Sequence, residues 1–199
     1  MIVVLNGFPG AGKHTILKRF LARLPADEKS HLIDNHLLID PVQALYPNRG
    51  EAHHALRRAI RGVIFPSVRT LAQEGHVILM TACLAANNAN DAAFFQEHLD
   101  LVRGNNVPLY WIEVRCDKER LEERAQSVER LHSAKTKLTD VTVLRGLVEA
   151  HHLIQPEELD DGSTKLVVRS LDANGEVDVS VRRLMEIVGL PVANLNEGV

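Results

Sequence analysis

The sequence predicts an α/β domain with a largely parallel sheet, on three observations. Apolar runs that read as strands alternate along the 199 residues with segments of helical spacing. Several of these runs are almost continuously apolar, as strands covered on both faces must be. The first run passes through a glycine-rich turn directly into a helix, which is the order a phosphate cradle requires.

Taken in chain order, Ile2–Asn6 is the first strand. Ile16, Leu17, Phe20, Leu21 and Leu24 space the first helix. His31–Ile33 is the second strand. Asp40 before Pro41 reads as an N-cap with proline at the first helical position. Leu45–Gly50 reads as a loop. Glu51–Gln73 is helical by the spacing of Leu56, Ile60, Val63, Ile64 and Leu71, with a kink or two abutting helices expected at Pro66. His76–Ala82 is the third strand, and Phe94, Phe95, His98, Leu99 and Val102 mark the helix after it. Leu109–Arg115 is the fourth strand, followed by a helix on Leu121, Ala125 and Val128 with Asp117 as N-cap. Val141, Leu144 and Val148 mark another helix, Asp160–Ser163 a loop, Lys165–Val168 the fifth strand, and Val181–Val188 the last helix. Residues 1–190 are expected as one domain and 191–199 as a frayed tail.

Composition narrows the function classes. A hydrophobic content of 45% with 25% charged residues is that of a globular chain, and no apolar run approaches a membrane span. The formal net charge of −3 gives no global basic field, which argues against nucleic acid as the partner. Two cysteines, Cys83 and Cys116, make no disulfide framework and fit a reducing, cytoplasmic setting. The chain opens on a core strand without a basic leader. Ten scattered histidines form no H-E-x-x-H or Cys/His pattern, which disfavours zinc.

The turn Gly7-Phe8-Pro9-Gly10-Ala11-Gly12-Lys13-His14-Thr15 carries most of the chemical information. Its glycines let the backbone close on phosphates, the helix-start amides point inward, and Lys13 adds a positive charge. The position after the lysine, where a hydroxyl is usual, holds His14, and the hydroxyl comes one place later at Thr15. Ligands of parallel sheets lie beyond the carboxyl ends of the strands, which directs attention to the residues just after each one. After the second strand come Asp34, Asn35 and His36. Asp34 reads as the group that orients or deprotonates an attacking hydroxyl; the alternative is a turn or capping aspartate. Asn35 and His36 reach substrate or simply complete the turn. After the third strand, Thr81-Ala82-Cys83-Leu84 contains no carboxylate. Mg²⁺ would therefore draw on Thr15, Asp34, phosphates and water, because imidazole suits it poorly. Arg124, Arg130 and, more weakly, Lys135 and Lys137 form either a basic lid near 124–139 or an ordinary solvated charge run. Arg57 and Arg61 share a helix face and either hold an anionic substrate group or face water.

With these residues in place, the chain resembles the P-loop kinases of small molecules: the nucleoside monophosphate, shikimate and gluconate kinases, chloramphenicol phosphotransferase and the polynucleotide 5′-hydroxyl kinase domain. The turn is most similar to the adenylate-kinase form G-x-P-G-x-G-K-G-T. The resemblance implies a three-layer P-loop NTPase fold with a five-stranded parallel sheet in the order 2-3-1-4-5, helices on both faces and a short lid. It implies ATP and Mg²⁺, with Gly7, Pro9, Gly10, Ala11, Gly12, Lys13, His14 and Thr15 around the phosphates and Thr15 on the α-phosphate side. It also implies Arg124 packed on adenine, Arg130 as a lid arginine and Asp34 as catalytic base. The D-G-F-P-R segment of adenylate kinases is replaced by Thr81-Ala82-Cys83-Leu84, and no N-K-x-D guanine motif is present.

The expected function is phosphoryl transfer from ATP to a hydroxyl of a small-molecule acceptor. Lys13, Asp34 and Arg130 would be catalytic, and Asp34, Asn35, Arg57 and Arg61 would meet the acceptor. A nucleotide-binding module without efficient catalysis is the first alternative, and a nucleotide or polynucleotide 5′-hydroxyl kinase the second.

Overall fold

A computed structural model describes residues 1–132 and 135–191. The expected tail, beyond Pro191, and two residues of the expected lid lie outside the described residues. The elements are β1 (Ile2–Asn6), α1 (Lys13–Leu21), β2 (Ser30–Ile33), α2 (His36–Leu45), α3 (Glu51–Gln73), β3 (Val77–Ala82), α4 (Ala89–Val102), β4 (Pro108–Arg115), α5 (Lys118–Ala125), α6 (Val128–Leu131), α7 (Val141–Ala150), β5 (Leu159–Asp160), β6 (Lys165–Asp172) and α8 (Val177–Ile187).

The strands form one six-stranded sheet in the order β2-β3-β1-β4-β6-β5. All pairings are parallel except β5 with β6. Two expectations are corrected here: the strand count is six rather than five, and the edge position belongs to β5. The segment Asp160–Ser163 was expected as a loop for its turn residues, and that turn chemistry closes a hairpin. Asp161 Oδ1 accepts the backbone N–H groups of Ser163 and Thr164 at 2.9 and 2.8 Å and so folds Leu159 back onto Leu166.

Period-two alternation along β1 sorts the core. Val3 and Leu5 face α1 and α8, where they meet Ile16, Leu17, Phe20, Leu184 and Met185. Ile2 and Val4 face the other way, against Phe65 and Val68 of α3 and Phe94 and Leu101 of α4. Every residue of β1 is buried, which requires cover on both faces and makes this the central strand. Each such aliphatic side chain contributes about 1.5–3 kcal/mol when fully buried.

One helical expectation is corrected and another is narrowed. Asp40 is not an N-cap: α2 begins at His36, carries Pro41 inside it, and Asp40 Oδ1 lies 3.3 Å from His36 Nδ1. The earlier start follows from a turn at Asp34–Asn35, whose carbonyls accept the N–H groups of Leu37 and Leu38. Pro66 does not split its helix: α3 runs as one element of 23 residues. The carbonyl that loses its partner belongs to Gly62, which is exposed, so water can serve it. Asp117 does stand at the N-cap of α5, without a side-chain capping bond.

Candidate functional site

The site lies beyond the carboxyl ends of β1, β2, β3 and β4. Asn6 ends β1 and is fully buried. Its Oδ1 accepts the Leu84 N–H at 2.8 Å, and its Nδ2 donates to the carbonyls of Leu84 and Ile154 at 3.3 and 3.5 Å. This side chain ties the ends of β1 and β3 to the segment after α7. Gly7 then continues the sheet, donating its N–H to the Ala82 carbonyl at 3.1 Å.

The next turn wraps tightly. Gly10 has φ 93°, and a methyl group there would stand 2.8 Å from the Leu121 carbonyl oxygen. Gly12 precedes α1 with φ 82°. No other residue type fits Gly10 without moving the backbone of α5. Lys13 is partly buried and donates its Nζ to the carbonyls of Gly7 and Phe8 at 2.5 and 2.9 Å. Burial lowers its pKa, with a further push from Arg130 and opposing pulls from Cys83 and Asp34. Thr15 is exposed at the start of α1.

A cavity of about 300 Å³ opens on this turn, lined by Gly10, Gly12, Thr15, Arg124, Arg130 and Gly175 among others. Arg124 Nη1 reaches Cys116 Sγ at 3.6 Å. Arg130 Nε donates to the Leu138 carbonyl at 2.9 Å, and burial lowers the pKa of its guanidinium. The β6–α8 connection closes the far side. Asn174 Oδ1 accepts the Asp117 N–H at 2.8 Å, and Ala173 donates to the Arg115 carbonyl at 2.8 Å.

Asp34 is 5% exposed. Its Oδ1 accepts from Thr81 Oγ1 at 2.7 Å, and its Oδ2 accepts from Lys135 Nζ at 2.6 Å. Thr81 Oγ1 in turn accepts the Asn35 N–H at 2.9 Å, so a β3 hydroxyl fixes the turn after β2. Burial pushes the Asp34 pKa up, but the bonds from Lys135 and Thr81 outweigh it, and the net shift is downward. Lys135 also lies 3.3 Å from His14 Nε2. Burial lowers the His14 pKa, against a pull from Asp34, so the ring is neutral at pH 7 and can accept that contact.

The structure therefore brings Lys13, His14, Asp34 and Lys135 together, with Thr15, Arg124 and Arg130 around the adjoining cavity. Arg57 and Arg61 stand apart from each other in role. Arg61 is 5% exposed and makes a bidentate pair with Glu97 at 2.5 and 2.9 Å over the Phe94 ring, 3.9 Å from its centroid. Arg57 makes no ion pair among the described residues, and its buried Nε has no hydrogen-bond partner.

Sequence reasoning missed Asn6. Its signal was available as the single amide closing an otherwise apolar strand. It gave Lys135 little weight, because nothing local to Lys135 shows that a distant turn delivers it to Asp34.

No protein-family model matches the chain, and no curated protein matches it. Solved structures do. A candidate kinase from Chloroflexus aurantiacus superposes with a TM-score of 0.60 at 14% identity, covering 93% of this chain and 96% of the other. A gluconokinase from Sinorhizobium meliloti gives 0.54 at 12% identity, covering 94% and 90%. Kti12 from Chaetomium thermophilum, in complex with ADP-AlF3, gives 0.53 at 15% identity, covering 95% and 97%. At these identities the likeness is one of fold: the α/β architecture described above is the one these structures share.

Proposed function

We propose that this protein is an ATP-dependent phosphotransferase that moves the γ-phosphate to a hydroxyl of a small-molecule acceptor. The observation that carries the reading is the buried Asp34 carboxylate, fixed by Thr81 beside the glycine cradle of Lys13. Phosphoryl transfer asks little more of a protein than a phosphate cradle, charge compensation and a group that orients the nucleophile. The ADP-AlF3 in the Kti12 structure supports placing a nucleotide at this turn.

In this reading the turn amides and Lys13 hold the β- and γ-phosphates, and Thr15 faces the α-phosphate side. Arg124 packs on the base, while Arg130 offsets charge on the transferring group. Asp34 Oδ1 is held by Thr81, so Oδ2 is the atom that receives the acceptor hydroxyl. The acceptor oxygen bonds to the γ-phosphorus, the bond to the β,γ-bridging oxygen breaks, and the hydroxyl proton passes to Asp34 Oδ2. Among the described residues no three His, Cys, Asp or Glu side chains gather to hold a metal by themselves. Thr15 and Asp34 offer the hard oxygen donors that Mg²⁺ takes while keeping its waters, and when bound it would neutralise phosphate charge.

No helix among the described residues is long and apolar enough to cross a membrane, and Cys83 and Cys116 are free thiols. These features fit work in the reducing cytoplasm.

A nucleotide-binding module without efficient catalysis is the second reading, favoured by the Lys135 bond on Asp34 Oδ2. Incubating the protein with Mg²⁺-ATP and a metabolite panel separates the two. ADP formation that depends on an acceptor supports the kinase. Tight ATP binding with no ADP formed on any acceptor supports the module.

A further inference from the structure

Both oxygens of the Asp34 carboxylate are capped by side chains of the protein. Thr81 Oγ1 donates to Oδ1 at 2.7 Å, and Lys135 Nζ donates to Oδ2 at 2.6 Å. The two caps differ. Thr81 belongs to the buried strand β3, and its hydroxyl also accepts the Asn35 N–H, so it holds the turn after β2. Lys135 comes from the connection between α6 and α7, and its side chain is 30% exposed against 7% for Asp34. The ammonium is therefore what stands between the Asp34 carboxylate and solvent, on a flexible four-carbon stem.

The proposed transfer needs the oxygen that Lys135 holds. Beside a bound triphosphate, that oxygen would serve water as readily as an acceptor hydroxyl. The water oxygen would bond to the γ-phosphorus, the bond to the β,γ-bridging oxygen would break, the proton would pass to Asp34 Oδ2, and ADP and inorganic phosphate would leave. To reach Oδ2 a water must displace an ammonium from a carboxylate, a bond about twice as strong as a neutral one. Water has no further contacts to offset that loss. An acceptor molecule has the rest of its body, and binding energy from its non-reacting parts can drive the displacement.

His14 gives the displaced ammonium a second place to rest. Its Nε2 already lies 3.3 Å from Lys135 Nζ. His14 follows Lys13 at the start of α1, so an ammonium drawn toward it stays beside the phosphate cradle. There its charge offsets that of the transferring group. The exchange takes the rotation of one lysine side chain.

We propose that Lys135 is a positioning residue that keeps water from serving as the phosphate acceptor: its ammonium caps Asp34 Oδ2 until a hydroxylated substrate moves it aside toward His14.

This inference rests on the kinase reading, and counting products separates the two. Phosphorus NMR follows saturating Mg²⁺-ATP on the full chain, first without acceptor and then with a panel of hydroxylated metabolites (glycerate, gluconate, glycerol, ribose, adenosine). Inorganic phosphate reports water as acceptor, and phosphate esters report transfer. The native protein should form esters and ADP in equal amounts, and little inorganic phosphate when the panel is left out. Lys135→Met and Lys135→Gln should each release inorganic phosphate about a hundredfold faster without acceptor, the lower end of what a positioned general base contributes. Lys135→Arg keeps a cation on Oδ2 and should stay near the native rate. Adding Asp34→Asn to Lys135→Met should return hydrolysis to the native background. A lysine that merely steadied Asp34 would give slower transfer and no added phosphate. Esters from the native protein with no rise in inorganic phosphate from either variant would overturn the inference, as would a rise that survives Asp34→Asn. No ADP from the native protein or any variant with the whole panel would overturn the kinase reading beneath it, and the inference with it.

Discussion

Around the glycine turn of Lys13, no buried side-chain nitrogen or oxygen among the described residues lacks a partner. Lys13 bonds two carbonyls of its own turn, Arg130 bonds Leu138, and Ser180 Oγ donates to the Asp172 carbonyl at 3.0 Å. Around α2, α3 and α4 the picture differs. The buried side-chain atoms without partners among the described residues are Asn35 Oδ1, His53 Nε2, Arg57 Nε and His98 Nε2, all on that side of the sheet. The two histidines have a local cause. Each gives its Nδ1 to a carbonyl, His53 to Tyr46 at 2.9 Å and His98 to Phe94 at 2.8 Å. This fixes the N–H on Nδ1 and leaves Nε2 a bare acceptor, the less costly kind of orphan. Arg57 and Asn35 have no such local account. The contrast separates a cradle whose buried polar atoms are all matched from a neighbouring region where Asn35 Oδ1 and Arg57 Nε are left without partners among the described residues.

The largest expected effect comes from creating orphans where there are none. Asn6→Ala would strip partners from the buried Leu84 N–H and from two carbonyls at the seam between the halves. Unfolding in urea should show a loss of about 3 kcal/mol, the sum expected for stranding such groups. A loss under about 1 kcal/mol would mean that the strand ends are held by other contacts.

A smaller effect is expected from His98, which is fully buried among Phe65, Phe94 and Trp111. Burial pushes its pKa down from 6.5 to about 4, because a second ring proton would sit on Nε2 with nothing to accept it. Between those values the unfolded chain binds the proton and the folded chain does not, so stability falls as pH drops from 6.5 toward 4. The loss from pH 7 to pH 5 should be about 2 kcal/mol. His98→Phe should flatten that part of the stability profile. An identical pH slope in the variant would contradict the assignment.

The smallest effect tests whether the two halves meet at Lys135. Its bond lowers the Asp34 pKa, so Lys135→Met should raise that pKa and move the acid limb of kcat/KM to higher pH. An unmoved limb would show that Lys135 does not act on Asp34 in the working protein.

The two halves also differ in how readable they are. The cradle is contiguous: Gly7 to Thr15 follow one strand and open one helix, so composition and order suffice to find it. The α/β class and the positions of the five parallel strands were legible for the same reason, since apolar runs announce buried strands. The region around Asp34 and α3 is assembled from separate segments: Thr81 fixes Asp34 and Asn35, and α4 supplies the partner of Arg61. Arg57 and Arg61 are alike by spacing. Glu97, on α4 and 36 residues from Arg61, decides which of them is committed to the fold. Lys135 stands 101 residues from the carboxylate it bonds. The β5 strand escaped notice because two residues carry no period, and its turn residues read as a loop.

The central claim is that the cradle and Asp34 together perform phosphoryl transfer. The most direct measurement is phosphorus NMR of Mg²⁺-ATP with the metabolite panel, for the native protein and Asp34→Asn, alongside the ATP dissociation constant of each. The account predicts a new phosphate monoester signal and matching ADP with the native protein only, and nearly equal ATP affinity in both. Transfer by Asp34→Asn at the native rate, or an ATP-bound native protein that transfers to no acceptor, would contradict it.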